Sequence, residues 1–76
     1  ELELTDLHFV YPVEEKVLDI DTKIRYNMEK TSVHVEINGD KAKMTFTEPV
    51  YSITSGQIAV FYDRNDGHLI GGGRIL

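Results

Sequence analysis

Three consecutive glycines, Gly71-Gly72-Gly73, follow His68-Leu69-Ile70 near the end of the chain, and they constrain the fold more than any other feature. A glycine inside a strand loses more backbone entropy than other residues and offers no side chain to pack. The run therefore argues against a good regular strand at 71–73. It argues for a bulge, a sharp bend or a barrel corner where another backbone presses closely. The rival reading, a phosphate-cradling loop, has less behind it, because the spacing is not G-x-G-x-x-G and no helical pattern follows.

The residues before the glycines sharpen this reading. Ile58-Ala59-Val60-Phe61-Tyr62 has no polar member and is rich in β-formers, so it reads as the central strand, buried on both sides. Ser52, Thr54, Ser55 and Gly56 form a turn cluster leading into it. Asp63-Arg64-Asn65-Asp66-Gly67 marks a tight hairpin, with Asp-Gly supplying the φ values a reversal needs, and residues 68–70 return antiparallel.

Earlier in the chain the pattern is alternation. Residues 3–10 read as a first strand, in which Leu2, Leu4 and Asp6 share one face before Leu7, Phe9, Val10 and Tyr11 form an apolar patch ended by Pro12. Residues 13–18 read as a loop or one helical turn. From residue 18 to 28, Ile20, Thr22, Ile24, Tyr26 and Met28 line one face, while Asp19, Asp21, Lys23, Arg25 and Asn27 line the other. Residues 32–37 put Val33, Val35 and Ile37 inward. Residues 40–47 carry Ala42, Met44 and Phe46 inward before Glu48-Pro49 stops the strand. Asn38-Gly39 between these two runs predicts a two-residue type I′ loop. With those residues as the loop, Glu36 faces Lys41, His34 faces Lys43 and Val33 faces Met44. The result is an all-β domain, a small six-stranded antiparallel β-barrel, with an open sandwich as the alternative.

Composition bounds the function. The chain has 76 residues, 41% of them hydrophobic, two prolines and no cysteine. That is one domain, residues 1–76, with one modest core and neither a disulfide framework nor a thiolate metal site. No apolar run approaches the roughly 18 residues of a membrane span, and we expect no membrane partner and a cytoplasmic location. Thirteen acidic against eight basic side chains give a net charge of −5, which opposes a strong sequence-independent grip on a phosphate backbone. The chain opens at Glu1 without an initiator methionine, and we read it as a piece of a larger protein.

Candidate chemistry is sparse. His8, His34 and His68 lie on three predicted strands without metal-ligand spacing, and we read them as ordinary surface or partly packed residues. Asp63 and Asp66 flank a turn, where aspartate serves turn chemistry, and Asp19 with Asp21 shares a wet strand face. Ser52 and Ser55 lack a histidine and acid partner and form no nucleophile elbow. No catalytic and no metal-binding residue is expected. Lys23 and Arg25 share a face, and with Lys41 and Lys43 they hold half of the basic residues, either as a small basic stripe or as solvated faces balanced by Asp21 and Glu36. Of the four tyrosines able to stack on bases, Tyr26 and Tyr62 read as core.

The central stretch resembles a signature of the tRNA-specific 2-thiouridylases, in which a T-P-G-Q turn leads into an A-V-F-Y-D strand and an L-G-G-G-x-I segment. Here it reads Thr54-Ser55-Gly56-Gln57, Ala59-Val60-Phe61-Tyr62-Asp63 and Leu69-Ile70-Gly71-Gly72-Gly73-Arg74-Ile75. Upstream, Lys23-Ile24-Arg25-Tyr26 is similar to the family's K-I-R-Y strand, Phe46-Thr47-Glu48-Pro49 to its F-x-x-P segment, and Leu7-His8-Phe9 more loosely to its opening strand. Ser55 stands where the family has proline, and Ile70 is inserted before the glycines. The resemblance implies a C-terminal β-barrel similar to the second domain of translation elongation factors. It implies a parent enzyme that uses ATP, with Mg, to adenylate the wobble uridine of certain tRNAs and then replaces the C2 oxygen by sulfur from a persulfide donor protein. The family's nucleotide loop and catalytic cysteines have no counterpart here, so the fragment itself is expected to be non-catalytic and without a cofactor. The expected partners are tRNA with a wobble uridine and the N-terminal catalytic and central domains of the same chain. The expected RNA contacts are Lys23, Arg25, Ser52, Thr54, Ser55, Gly56 and Gln57. The alternative function is a barrel that packs against those domains without touching RNA.

Overall fold

In a computed structural model, residues 2–10, 12–24, 29–48 and 53–76 are described. They contain six strands and no helix: β1 (Leu2–Phe9), β2 (Val17–Lys23), β3 (Thr31–Asn38), β4 (Lys41–Phe46), β5 (Ile58–Tyr62) and β6 (Leu69–Ile75). All neighbours are antiparallel, and the sheet closes in the order β1-β4-β3-β2-β5-β6, with β6 returning to β1. The closed barrel is thus the architecture, and the open sandwich is not. Closure removes the unpaired edges that a small open sheet would expose.

The interior follows from strand alternation. Leu4, Val33, Val35, Met44, Ala59 and Phe61 are fully buried, each one residue out of two along its strand. Burying a side chain of the Val, Leu or Phe class is worth about 1.5–3 kcal/mol, so a handful of such residues carries much of a small core. Phe9 packs on Phe61 with ring centroids 6.3 Å apart. Thr22, predicted inward between Ile20 and Ile24, is fully buried, and its hydroxyl donates to the Val60 carbonyl at 2.9 Å. That bond supplements the short β2–β5 ladder, which pairs Asp21 with Tyr62, Thr22 with Phe61 and Lys23 with Val60.

The triple glycine corrects one expectation and bears out another. Gly71, Gly72 and Gly73 lie within β6, all three paired to β5 and Gly71 and Gly72 also to β1, with Gly73 opposite the β1 bulge, so the run is strand after all. The irregularities fall beside it, between Thr5 and His8 on β1 and between Phe61 and Tyr62 on β5. Asp6, at the β1 bulge, has φ of 53°, which explains why the apolar face slips from Leu2 and Leu4 to Leu7 and Phe9. What the glycines supply is space. A Cβ on Gly72 would sit 2.5 Å from the Ala59 carbonyl oxygen, and one on Gly71 would sit 2.9 Å from Phe9 Cα and closer still to the His8 carbonyl.

Three further differences are informative. The β3–β4 hairpin pairs Asn38 with Lys41, so the two-residue loop is Gly39-Asp40, not Asn38-Gly39. Gly39 has φ of 66° while Asp40 is not left-handed, the pattern of a II′ rather than a I′ turn. Glu36 therefore faces Lys43, His34 faces Thr45 and Val33 faces Phe46. The last hairpin is not tight: Tyr62 pairs with Leu69, and the Gly67 amide bonds the Asp63 carbonyl at 2.9 Å, so residues 63–68 form a wider loop in which Gly67 alone takes positive φ. Finally, β5 is not buried on both faces. Ile58 is 52% exposed and Val60 and Tyr62 are half-buried, because in a barrel this small every strand turns one face outward.

Replacing Gly72 by alanine is expected to lower stability by about 1–3 kcal/mol, because the new methyl meets backbone that can yield only by moving a strand. Urea unfolding of the variant measures it, and an unchanged midpoint would show that β6 can recede from β5 at no cost.

Candidate nucleic-acid interface

The turn before β5 is built from its own residues. Gly56 takes φ of 90°, the Gln57 amide approaches the Thr54 carbonyl at 3.4 Å, and the Thr54 amide donates to Gln57 Oε1 at 2.8 Å. Glycine at the third position with positive φ is the type II arrangement, in which proline suits the second position, here Ser55. The turn is anchored on β6, since the Gly56 amide donates to the Ile75 carbonyl and the Ile75 amide to the Gln57 carbonyl, each at 2.8 Å. The backbone donors of Thr54, Gly56 and Gln57 are therefore engaged within the protein. Thr54 and Ser55 remain exposed, whereas Gln57 is half-buried and braces the turn.

Lys23 ends β2 opposite Val60 and points outward, as its neighbours Thr22 and Ile24 are buried. Because β2 runs against β5, the chain leaves Lys23 toward the start of β5, so Lys23 and the turn share one end of the barrel. Arg25 and Ser52 lie outside the described residues, as do Tyr11, Tyr26, Met28 and Tyr51. Lys41 and Lys43 lie on β4, which pairs with neither β2 nor β5: Lys41 sits against Asn38 beside the β3–β4 turn, and Lys43 between Glu36 on β3 and Glu3 on β1. A basic stripe joining them to Lys23 is not assembled. The intervening surface is acidic, with His34 Nδ1 2.9 Å from Asp19 and Nε2 3.7 Å from Glu36.

Two cations that the sequence reading left aside join Lys23 at the β2–β5 seam. Arg64, in the loop after β5, donates from Nη2 to the Ile20 carbonyl at 3.1 Å, and its Nε lies 3.6 Å from Asp21. Lys30, just before β3, places Nζ 4.5 Å from the centre of the Tyr62 ring. Tyr62, expected in the core, is half-buried and presents its ring to that ammonium. Arg64 was masked in the sequence by the turn chemistry of its neighbours, and Lys30 belongs to a connector with no periodicity, so neither position signalled a seam.

The loop at 63–68 brings together the carboxylates of Asp63 and Asp66 and the imidazole of His68, with ligand atoms within 4.8 Å of one another. Turn chemistry accounts for the arrangement. Asp63 Oδ1 accepts from the Asn65 and Asp66 amides at 2.8 and 3.2 Å, and Asp66 Oδ1 accepts from the His68 amide at 3.0 Å while also meeting His68 Nδ1. The His68 backbone N–H holds the Asp66 carboxyl below its ordinary value of 3.8.

Two outcomes are expected from this geometry. Ser55→Pro should raise stability by about 0.4–1 kcal/mol, because the ring pre-sets the turn and restricts the unfolded chain. A fall in melting temperature would show that Ser55 does not have the φ of a second turn position. Asp66 ionises more readily folded than unfolded, so its contribution to stability is present above the ordinary carboxylate range and lost as pH falls through the depressed folded value. Its carboxyl chemical shift should titrate with a midpoint below 3.8, and a midpoint at or above that value would dismiss the His68 amide as the cause.

Residues 1–75 match the family described as the aminomethyltransferase beta-barrel domain. The chain is 50% identical over 54 residues to a tRNA-specific 2-thiouridylase MnmA of Campylobacter jejuni, and equally to one of Campylobacter lari, covering 70% of this chain and 16% of each relative. It is 42% identical over 64 residues to the tRNA-specific 2-thiouridylase MnmA of a Nitratiruptor strain, covering 84% of this chain and 18% of the relative. The chain thus spans less than a fifth of the length of the curated relatives it matches. The match takes in both the triple-glycine strand and the turn before β5, and this chain belongs to the aminomethyltransferase beta-barrel domain family, with the tRNA-specific 2-thiouridylases as relatives.

Proposed function

We propose that this barrel is the tRNA-positioning domain of an ATP-dependent tRNA wobble-uridine 2-thiolation enzyme acting in the cytoplasm, and that the barrel itself performs no chemical step. The relatives' names support the enzyme class. The observation that carries the positioning role is the row of Lys23, Lys30 and Arg64 along the β2–β5 seam, with Lys23 at the end that also carries the exposed hydroxyl-bearing turn at Thr54 and Ser55. Phosphate oxygens are met by ammonium, guanidinium and hydroxyl groups, and such contacts set the register of a bound nucleic acid without reading its sequence. With a net charge of −5, the barrel orients tRNA locally while the bulk of the affinity comes from elsewhere in the enzyme.

The residues present offer ATP no phosphate-cradling loop. Gly71 and Gly72 have their backbone paired to strands on both sides and Gly73 to β5, and no helix N-terminus follows to meet a phosphate. The chain has no cysteine to carry a persulfide. Nucleotide, metal and sulfur donor are therefore assigned to the remainder of the enzyme.

In the full-length enzyme, Lys23→Ala and Arg25→Ala are each expected to weaken tRNA binding about equally across substrate tRNAs and to lower the salt slope by about one. Unchanged affinity and salt dependence in both variants would sink the reading and favour a barrel that serves only to pack against the other domains.

A further inference from the structure

The outer face of β1, β5 and β6 carries a groove of about 420 Å³ with Gly71 and Gly72 on its floor and Val10, Ile58, Val60 and Leu69 on its walls. Val10, Ile58 and Leu69 are 60%, 52% and 47% exposed, and they are three of the five large hydrophobic side chains exposed among the described residues. Single exposed apolar residues are ordinary on a protein surface, whereas several converging on one concavity mark a contact. The concavity is part of the backbone design: Gly72, paired with the outward Val60, has its Cβ position on this face, and a side chain there would sit 2.5 Å from the Ala59 carbonyl oxygen, so the floor stays bare in every rotamer state. The only Lys or Arg on the rim, Arg74, is paired with Asp6 at 2.8 Å. The groove thus has apolar walls and a neutralised rim, which suits an apolar protein surface and not a phosphate backbone.

The geometry points to this groove as the seat of an apolar surface from another domain of the same polypeptide, an inference that rests on the barrel being one domain of a 2-thiouridylase. In the curated relatives the matched stretch is only 16–18% of the chain, so more than four fifths of such a protein is tethered to a barrel of this kind. Tethering makes the contact intramolecular, at an effective concentration in the millimolar range for a short flexible linker. A patch of this size then suffices without the area that two free proteins need. The same contact accounts for the sequence of β5: the uninterrupted apolar run at 58–62 is what a strand buried on both faces requires, and the barrel alone covers only one.

Thiol labelling of the full-length enzyme tests this. Ile58→Cys and Leu69→Cys replace exposed side chains, and Thr45→Cys, exposed on the outer face of β4, serves as the reference, each read against the labelling of the unsubstituted enzyme. With tRNA absent, both groove cysteines are expected to react at least about tenfold more slowly than the one at 45, at every protein concentration. Equal rates would overturn the proposal. So would protection that grows with protein concentration, which assigns the groove to a second copy, or protection seen only with tRNA, which assigns it to RNA. Since the labelling is done without tRNA, a protected groove alongside unchanged tRNA binding in the Lys23 and Arg25 variants would retire the positioning role and leave the docking surface standing.

Discussion

Everything in this barrel depends on how closely β1 and β5 approach the glycine strand between them. β6 is the element through which the C-terminal hairpin meets the first strand, and closure requires its backbone to lie where ordinary side chains would collide with the His8 and Ala59 carbonyls. Glycine loses entropy and side-chain packing there. The return is six ladders with no free edge, in a chain too short to protect an open sheet by other means.

The opposite seam is closed differently. The β2–β5 ladder is short, and it is supplemented by the buried Thr22 hydroxyl on the Val60 carbonyl and by the Arg64 guanidinium on the Ile20 carbonyl. Side-chain bonds of this kind contribute about 1 kcal/mol each where the partners would otherwise be unsatisfied. They also place a fixed guanidinium near Lys23 and Lys30, so the groups that close the barrel are among those that present positive charge at its surface. The structural role and the proposed tRNA contact are superimposed at this seam, and separating them experimentally depends on Lys23, whose backbone joins the β2–β5 ladder while its side chain takes no part in closing the barrel.

Much of this was legible in the sequence because β-structure writes itself in period two. Ile20, Thr22, Val33, Val35, Ala42 and Met44 were assigned inward by alternation alone, and all are buried. The register of the β3–β4 hairpin was not legible to the same degree. Moving the loop from Asn38-Gly39 to Gly39-Asp40 shifts the pairing by two residues and leaves every side chain on the same face, so hydrophobic patterning cannot distinguish the two. The Asp6 bulge was visible only as a slip in the apolar pattern. The burial of β5 was misjudged for a reason the chain cannot express by itself, since an apolar run reports that a surface is covered without saying by what.

Alternation, turn glycines and the motifs shared with the 2-thiouridylases determined the strand count, the inward faces of β2, β3 and β4 and the family, because these are set by local geometry and by residue identity at fixed spacing. Beyond the β3–β4 and β5–β6 hairpins, which the turn residues announce, only the tertiary structure decided which strands are neighbours. That placement puts Lys41 and Lys43 on β4, which borders neither β2 nor β5, sets Lys43 between Glu36 and Glu3, and brings Lys30 and Arg64 to the β2–β5 seam. Such groupings join residues up to 44 positions apart along the chain, and no periodicity in sequence can encode a contact that exists only once the sheet has closed on itself.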